Sequence, residues 1–247
     1  MVRKLCLMLA LAAPAPLAAQ EGGDGVTFRL GVGPKSSPEY FGAEDNALGV
    51  AGSFKLERLQ FGDLSVGGER TGLGFGGSLR FVKERSADDY SELSGLEDID
   101  PSLELGGGLR FTQPGFEMFA NLRYGVIGHE SLVGELGGDV IYRPTSQITL
   151  SAGPRVLWGS DDYAQTYFGV TDAESGASGL DAFEAGGGIL SQGIEAEATY
   201  DFNDTWGVTG KIRYDQLRDA AADSPITQSE DQLTGSLLVT RKITLGF

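Results

Sequence analysis

Residues 233–247, LTGSLLVTRKITLGF, decide the fold. Their apolar residues alternate with small polar residues at a period of two, with Leu238 and Arg241 as the two exceptions, and this pattern is typical of a β-strand with one apolar face. The stretch ends on Phe247, which would leave a frayed apolar edge in a soluble sheet. A closed outer-membrane barrel pairs its last strand with its first and places an aromatic residue at the membrane interface. The pattern therefore favours such a barrel over the terminal strand of a soluble sheet.

The N-terminal segment, residues 1–20, predicts a cleaved secretory signal peptide. Two basic residues precede an uninterrupted apolar run over residues 5–13, and a Pro/Ala-rich stretch leads to Gln20. This run is too short to cross a bilayer as a helix, and no later segment is long enough either. We therefore expect cleavage near Gln20 and a single exported barrel domain over residues 21–247. Cys6, the only cysteine, would leave with the signal, so no disulfide is expected.

The composition is acidic and rich in glycine. The chain has 19 basic and 35 acidic residues, a formal net charge of −16, and 38 glycines. Nucleic acid is an unsuitable partner for this balance, because phosphate binding needs clustered Lys and Arg. Many glycines fall inside strand patterns, where they allow a strongly curved sheet. A disordered Gly-rich chain would not show such regular apolar alternation.

The same alternation recurs along the chain. The clearest segments are residues 26–32, 73–81, 102–111, 116–126, 132–142, 148–158, 194–202 and 206–215. Short connections with turn residues lie at 113–115, 143–146 and 203–205, and long polar connections lie at 34–46, 86–99, 160–181 and 218–231. Outer-membrane barrels keep short turns in the periplasm and long loops outside, so we expect that arrangement here.

The strand count depends on the region around Arg58. Residues 47–57 and 59–66 resemble two strands, which would give an odd total. All the long loops face outward only if these segments form one bent strand, or a strand with a periplasmic excursion. We therefore predict an all-β, antiparallel transmembrane β-barrel of about ten strands, with twelve as the alternative and a bend at Arg58.

The polar faces of these strands carry both signs of charge. We expect the two signs to pair across a narrow lumen, because an unpaired buried charge is costly. The residues are Arg29, Arg80, Arg110, Arg123, Arg155, Lys211 and Arg213 on the basic side, and Glu104, Glu117, Glu135, Asp139, Glu195, Glu197 and Asp201 on the acidic side. Aqueous porin channels need about sixteen strands, so we expect a plugged or very narrow lumen.

Four loop segments resemble those of the MipA/OmpV family, the MltA-interacting outer-membrane proteins. They are YFGVTDAESGASGL (167–180), YDQLRDAAADSPI (214–226), SPEYFGAEDN (37–46) and LSGLEDI (93–99). The resemblance covers essentially the whole exported chain in the right order, and its YFGV and DSPI segments are the most specific. The family-motif residues singled out are Pro38, Tyr40, Gly42, Tyr167, Phe168, Gly169, Val170, Ser178, Gly179, Leu180, Asp223, Ser224 and Pro225.

This resemblance implies an outer-membrane barrel without catalytic residues, cofactor or metal. The best-described member is a scaffold that joins a lytic transglycosylase to a murein synthase, and other members are described as adhesins or as affecting antibiotic uptake. The implied partners are these murein enzymes, outer-membrane lipid and the barrel-assembly machinery, for which Phe247 would be the recognition element. Short periplasmic turns leave residues 21–25 and the Arg58 region as the sizeable periplasmic surface.

The loop motifs also have a structural interpretation. Tyr40 can cover the barrel mouth, and Tyr167 can fold back on its rim. Asp223 or Ser224 can cap a turn that Pro225 stiffens. A ligand site at the outer mouth is the alternative, because aromatic and acidic residues converge there.

Two further patterns invite a chemical interpretation. Gly72, Gly74 and Gly77 spell GxGxxG, but a strand follows them where a dinucleotide fold needs a helix. The only histidine, His129, could serve as a general base beside Asp161 or Asp162 in an outer-membrane hydrolase, although its neighbours resemble a plain turn.

Metal binding has little support in the sequence. One histidine and no exported cysteine leave only carboxylates as ligands. Weak calcium binding by Asp161, Asp162, Asp172 and Glu174 is the most that this composition allows.

Taken together, these features predict a non-enzymatic scaffold or interaction protein of the cell envelope. A narrow channel, an uptake barrel or an adhesin is the alternative, because the predicted lumen is charged. An outer-membrane hydrolase using His129 is the weaker rival.

Overall fold

The computed structural model of the protein describes residues 24–62, 64–67 and 71–247. The predicted signal peptide, its cleavage near Gln20 and Cys6 lie outside these residues. One antiparallel sheet contains the strands β1 (Gly25–Pro38), β2 (Asn46–Phe61), β3 (Leu64–Gly67), β4 (Gly72–Val82), β5 (Ser102–Gln113), β6 (Phe116–Ile127), β7 (Leu132–Tyr142), β8 (Ile148–Gly159), β9 (Gly188–Asp201), β10 (Trp206–Leu217) and β11 (Asp231–Gly246). The connections contain α1 (Asp161–Phe168), α2 (Asp172–Ser178), α3 (Ala220–Asp223) and a 3₁₀ turn, Ser91–Leu93.

The sheet is curled, and its first and last strands are hydrogen-bonded neighbours. The strand order is β3-β2-β1-β11-β10-β9-β8-β7-β6-β5-β4. Gly25 pairs with Gly246 and Val26 with Leu245, as expected for a terminal strand that joins the first. Ten strands have eleven residues or more, and β3 has four. The predicted count of ten is therefore confirmed.

The ambiguous region around Arg58 is resolved by a bulge and a reversal. β2 continues through Arg58 to Phe61, and its register with β1 shifts between Thr27 and Phe28, which leaves Glu57 as the extra residue. An extra residue bends a strand and strengthens its twist. β3 then folds back on the end of β2, with Arg58 opposite Gly67. The structure thus combines a bend one residue from Arg58 with a short excursion.

The two faces of the sheet follow the alternation in the sequence. The outward side chains are apolar and far more exposed than a soluble sheet tolerates, for example Leu48 at 86% and Phe75 at 79%. Outward aromatic residues lie at both ends of the strands, which is the girdle arrangement of outer-membrane barrels. Phe116, Tyr142, Tyr200 and Trp206 lie near the turns at one end, and Phe81, Tyr124, Trp158 and Tyr214 lie near the connections at the other.

The helices are short and belong to the long connections. None of the helices described is long and apolar enough to cross a membrane. α1, with eight residues, is the longest of them. The GxGxxG glycines lie within or at the start of β4, so the dinucleotide-fold pattern of a strand followed by a helix is not present there.

Candidate functional site

The buried apolar core of this protein lies in its outer loops. We call residues 39–45, 83–101, 160–187 and 218–230 the cap. Two clusters of buried side chains join these four loops: Tyr40, Leu93, Leu96, Val170 and Ile226 in one, and Ile99, Tyr163, Tyr167, Phe168 and Ala221 with neighbouring strand residues in the other. All four segments that carry the family resemblance meet here, so the cap is the candidate site.

Tyr40 anchors the first loop in the cap. Pro38 ends β1, and the Tyr40 ring then packs 5.4 Å from the ring of Tyr90. Its hydroxyl donates to Glu92 Oε1 at 3.4 Å. Burial, reinforced by the Glu92 carboxylate, raises the pKa of Tyr40. The side chain therefore remains a neutral donor at physiological pH.

Gly42 fixes the same loop against the fourth one. Its φ of +92° is a conformation that side chains rarely adopt, and a Cβ there would lie 2.9 Å from the Cα of Thr227. The Gly42 N–H donates to Gln232 Oε1 at 3.1 Å, and its carbonyl accepts from the N–H of Gln228 and Ser229. The glycine is required by a close approach between two loops.

The YFGV segment ends α1 at the centre of the cap. The Tyr167 carbonyl accepts from Arg85 Nη1 at 3.0 Å, and its ring lies edge-on to Phe41 at 5.1 Å. Gly169 follows the helix, and Val170 forms an antiparallel bridge with Phe183. Arg85 thereby holds α1 against the 83–101 connection, and the Val170–Phe183 bridge joins the two halves of the 160–187 loop.

α2 is capped at both ends by residues of the motif. Thr171 and Glu174 form a capping box, and Gly179 closes the helix with a φ of +80°. Ser178 Oγ donates to the Glu174 carbonyl and accepts from the Leu180 N–H, at 2.7 and 3.2 Å. These contacts give a seven-residue helix a defined geometry that its length alone would not.

Glu174 also links α2 to the LSGLEDI loop. Its Oε1 accepts from the Glu97 N–H at 3.0 Å. Partial burial alone would raise the pKa of Glu174, but the N–H groups of Glu97 and Thr171 and the Thr171 hydroxyl lower it overall. The ionised form is therefore the one that holds this contact.

The DSPI segment joins the fourth loop to α1. Asp223 ends α3, and Ser224 is 4% exposed. Ser224 Oγ donates to the Phe168 carbonyl at 2.6 Å and accepts from the Ile226 N–H at 3.2 Å, across Pro225. A single hydroxyl thus connects two motifs that are far apart in the sequence.

Beneath the cap, the inner face of the sheet holds a connected set of ion pairs. Glu104 meets Arg80 at 2.6 Å and Arg123 at 3.0 Å, and Glu135 meets Arg123 at 3.1 Å and Arg213 at 2.7 Å. Further pairs on this face are Arg155 with Asp139 and Glu195, Lys211 with Glu195 and Glu197, Arg213 with Asp215 and Glu195, Arg29 with Asp201 and Glu57, and Arg110 with Glu117.

Two of these pairs reach across the concave side of the sheet. Glu135 of β7 and Arg213 of β10 lie on strands separated by two others, as do Asp201 of β9 and Arg29 of β1. The predicted pairing of opposite charges inside the barrel is therefore present. It leaves the inner face crossed by charged side chains.

Tyr163 connects the cap to this network. Arg80 Nη2 donates to its hydroxyl at 2.8 Å, and the ring packs edge-on against His129 at 5.0 Å. Tyr163 is fully buried, and this burial raises its pKa. α1 is thus fastened to the inner face as well as to the other loops.

His129 does not form the cluster suggested by the hydrolase hypothesis. Among the residues described, no hydrogen bond or ion pair joins it to Asp161 or Asp162. It lies instead between Ser131 Oγ, 2.7 Å from Nδ1, and Glu104 Oε1, 3.3 Å from Nε2. The Ser131 N–H also donates to Nδ1, which leaves Nε2 as the protonated nitrogen.

This Ser-His-Glu arrangement is poorly suited to nucleophilic catalysis. The side chains of His129 and Glu104 are fully buried, and Ser131 is 3% exposed. Glu104 is already neutralised by Arg80 and Arg123. Tyr163 and Tyr167 of α1 pack edge-on against the imidazole, so α1 encloses the His129 ring.

Two of the four carboxylates considered for calcium, Asp161 and Glu174, are engaged in other contacts. Asp161 Oδ1 accepts from the Gly187 N–H at 2.7 Å, and Glu174 serves the capping box. The described part of the chain contains no group of three or more His, Cys, Asp or Glu with a geometry for metal binding.

Phe247 lies at the opposite end of the molecule. Its N–H donates to the Asp24 carbonyl at 3.1 Å, its ring is 6.1 Å from that of Phe61, and it is 66% exposed. Its position beside the first strand suits an interfacial aromatic residue. Its role in assembly stays a prediction.

Several residues in the cap or at the strand ends beside it were not identified from the sequence. Arg85, Ser102, Tyr163 and Gln232 are buried and link separate segments. A buried arginine next to a predicted strand end gives no periodic signal, and Gln232 looked like an ordinary strand residue. Their roles arise from contacts between loops that are distant in sequence.

Fold and site together define an outer-membrane β-barrel whose long loops form a packed cap. The family model of the MltA-interacting protein MipA matches residues 30–243, and the chain belongs to this family. The MltA-interacting protein of Escherichia coli K12 is 36% identical over 87 residues, which are 35% of this chain and 35% of that protein. The outer membrane protein OmpV of Vibrio cholerae is 36% identical over 77 residues, 31% of this chain and 29% of that protein.

The aligned segments thus span about a third of the length of these curated relatives. The relatives named as outer membrane proteins agree with the location that the outward apolar face requires, so this protein belongs to the outer membrane. Among solved structures, the channel DcaP of Acinetobacter baumannii matches 93% of this chain and 100% of its own, with a TM-score of 0.39 and 9% identity.

Proposed function

We propose that this protein is a sealed, non-enzymatic barrel that acts as a scaffold or interaction protein of the cell envelope. The observation that carries the proposal is the cap: four loops with a common apolar core cover the outer mouth, and α1 is fastened to charges on the inner face. A structure built for passage would need a wider or a mobile opening.

Murein enzymes are the first partners to test. A relative of this chain is named MltA-interacting protein, and the family resemblance includes a murein synthase as the second enzyme of the complex. These partners work in the periplasm, so they would meet the turn side of the barrel. Outer-membrane lipid and the barrel-assembly machinery are the further partners that the fold requires.

Site-specific photocrosslinking tests the scaffold proposal. A crosslinking residue is placed at Ser146, in the exposed turn between β7 and β8, and a matched one at Ala173, exposed on α2. Capture from intact envelopes is then followed by identification of the adducts. We expect a lytic transglycosylase or a murein synthase from position 146 and neither from position 173. Envelopes that yield no murein enzyme at position 146 would contradict the proposal.

A narrow channel remains the rival function, because the inner face is charged. Planar-bilayer recording separates the two: we expect no steady conductance from the wild-type protein. Arg110 is partly exposed and forms an ion pair with Glu117 on the inner face. Steady openings whose conductance changes in the Arg110→Gln variant would support a channel.

A hydrolase based on His129 is tested by the His129→Ala variant. We expect envelope lipid and peptide turnover to stay unchanged, because the imidazole is enclosed by the cap. Reduced turnover in a variant that still folds would restore the catalytic hypothesis.

A further inference from the structure

Within the described part of the chain, three cations at the turn end of the inner face lack the acidic partner that the inner cations of β4 to β10 have. On β4 to β10, the inner arginines and lysine lie within 3.3 Å of an acidic oxygen. Among the carboxylates of the described residues, none lies within 4.0 Å of Lys55, Arg58 or Lys242. A separate explanation is needed for these three.

Strand register places Lys55 and Lys242 on either side of Arg29 and places Arg58 in the next row. Arg29 of β1 pairs with Lys55 of β2 on one side and with Lys242 of β11 on the other, so the three form one row. The next row towards the periplasm contains Arg58, opposite Thr27. Arg29 reaches Asp201 across the concave side, so its row faces inward.

The second row supplies hydroxyl groups beside these charges. Thr27 also pairs with Thr244 of β11, and their Oγ1 atoms lie 3.1 Å apart. One hydroxyl donates to the other, which leaves one O–H free to donate to an anionic oxygen. The cations and hydroxyls occupy adjacent positions on β2, β1 and β11.

The acids near this patch are already in use. Glu57 and Asp201 both bind Arg29, at 2.8 and 2.5 Å. Among the residues that the structure describes, the two carboxylates paired in this patch, Glu57 and Asp201, stand against four cations, in a chain whose formal net charge is −16. Like charges on directly opposite strand positions destabilise a sheet, so an arrangement of this kind suits an anion from outside.

We propose that Lys55, Arg58 and Lys242 form an anion-binding site at the periplasmic end of the inner face, and that its occupant is an acidic peptide segment. Two strand spacings separate the Lys55 and Lys242 backbones by about 10 Å. The row spreads its cations over three strands, and an extended peptide, whose alternate carboxylates lie about 7 Å apart, can contact more of them at once than one small anion. The peptide identity rests on the proposed scaffold function; the anion site itself rests on the register.

The test uses the full folded chain in detergent and a fluorescent hexaglutamate peptide. Anisotropy should report binding that weakens as salt rises from about 50 to 300 mM, because exposed charges are screened. Lys55→Gln/Lys242→Gln should weaken binding at least tenfold. The control, Lys35→Gln/Lys83→Gln, removes the same charge from the outer half of β1 and from the cap. It should leave binding within about twofold.

Three outcomes would overturn the site: no binding by the wild-type chain, equal loss in both double variants, or equal affinity for hexalysine. Heat-dependent gel mobility shows that each variant is folded. Displacement of hexaglutamate by inorganic phosphate at low millimolar concentration would overturn the peptide assignment, because a small anion would then be sufficient to fill the site. If hexaglutamate binds while position 146 captures no murein enzyme, the scaffold proposal fails and the anion site stands.

Discussion

The cap and the wall, by which we mean the sheet of strands β1 to β11, are stabilised by opposite kinds of interaction. In the cap, aromatic and aliphatic side chains such as Tyr163, Phe168 and Leu93 are fully buried. In the wall, large apolar residues face outward, and the interior is held by charged pairs such as Arg123 with Glu104. The part of the sequence that looks most polar therefore contains the globular core. The outward face of the wall is apolar because it faces lipid, and the cap contains the close-packed apolar core that the wall lacks.

The charges of the two regions differ as well. The outer connections 39–45, 83–101, 128–131, 160–187 and 218–230 hold twenty acidic residues and three basic ones. The inner face of the wall is close to balanced, because most of its charges pair. Almost all of the net charge thus lies on the outer side, where water screens it.

The largest expected effect comes from breaking the wall beneath the cap. Glu104→Gln would leave Arg80 and Arg123 without their shared carboxylate in a site that is fully buried at Glu104. Removal of one partner of a buried pair costs about 3–5 kcal/mol. Urea unfolding of the protein in lipid vesicles measures this loss.

A matched substitution, Glu117→Gln, separates burial from charge. Its partner Arg110 is 41% exposed, so the loss should stay below about 1 kcal/mol. Equal destabilisation by the two substitutions would mean that the Glu104 network does not hold the wall to the cap.

Much of the wall could be predicted from the sequence, because a period of two assigns each side chain to a face. The inner charges followed from that assignment. The partners Glu135 and Arg213 did not, because they lie on non-adjacent strands and depend on the curvature of the sheet. α1 and α2 were assigned to a polar loop, because helices of eight and seven residues give no reliable periodicity.

Within the cap, Gly95→Ala should loosen two loops without affecting the wall. Gly95 has a φ of +91°, and an added Cβ would lie 2.6 Å from the carbonyl carbon of Ala177 in α2. The left-handed backbone alone costs a non-glycine residue about 1–3 kcal/mol. Limited proteolysis should cut the 83–101 loop faster, while heat-dependent gel mobility stays unchanged.

Gly176→Ala is the control in the same pair of segments. Its Cβ would have no atom within 4 Å, and alanine is favoured over glycine inside a helix. Faster cleavage of this variant as well would show that α2 tolerates no change and that Gly95 has no special role.

A smaller effect is expected where one hydroxyl joins two loops. Ser224→Ala removes the bond to the Phe168 carbonyl and the acceptor for the Ile226 N–H. A hydrogen bond of this kind contributes about 1 kcal/mol net. Hydrogen exchange should therefore accelerate at Ile226 by several-fold. Ser229→Ala, whose hydroxyl lies on an exposed turn, should leave that amide unchanged.

The smallest expected effect is a pH dependence of one contact in the cap, the bond from the Glu97 N–H to Glu174. The folded-state pKa of Glu174 is below its ordinary value, because the Glu97 and Thr171 N–H groups bind the carboxylate. A carboxyl group with a lowered pKa stabilises the fold above its unfolded pKa, and this contribution is lost as the pH falls through the lowered value. Protection of the Glu97 amide, which is its exchange rate relative to the intrinsic rate at the same pH, should therefore fall on acidification, and Glu174→Gln should remove this pH dependence. A pH dependence that persists in this variant would assign the acid sensitivity to another group in the cap.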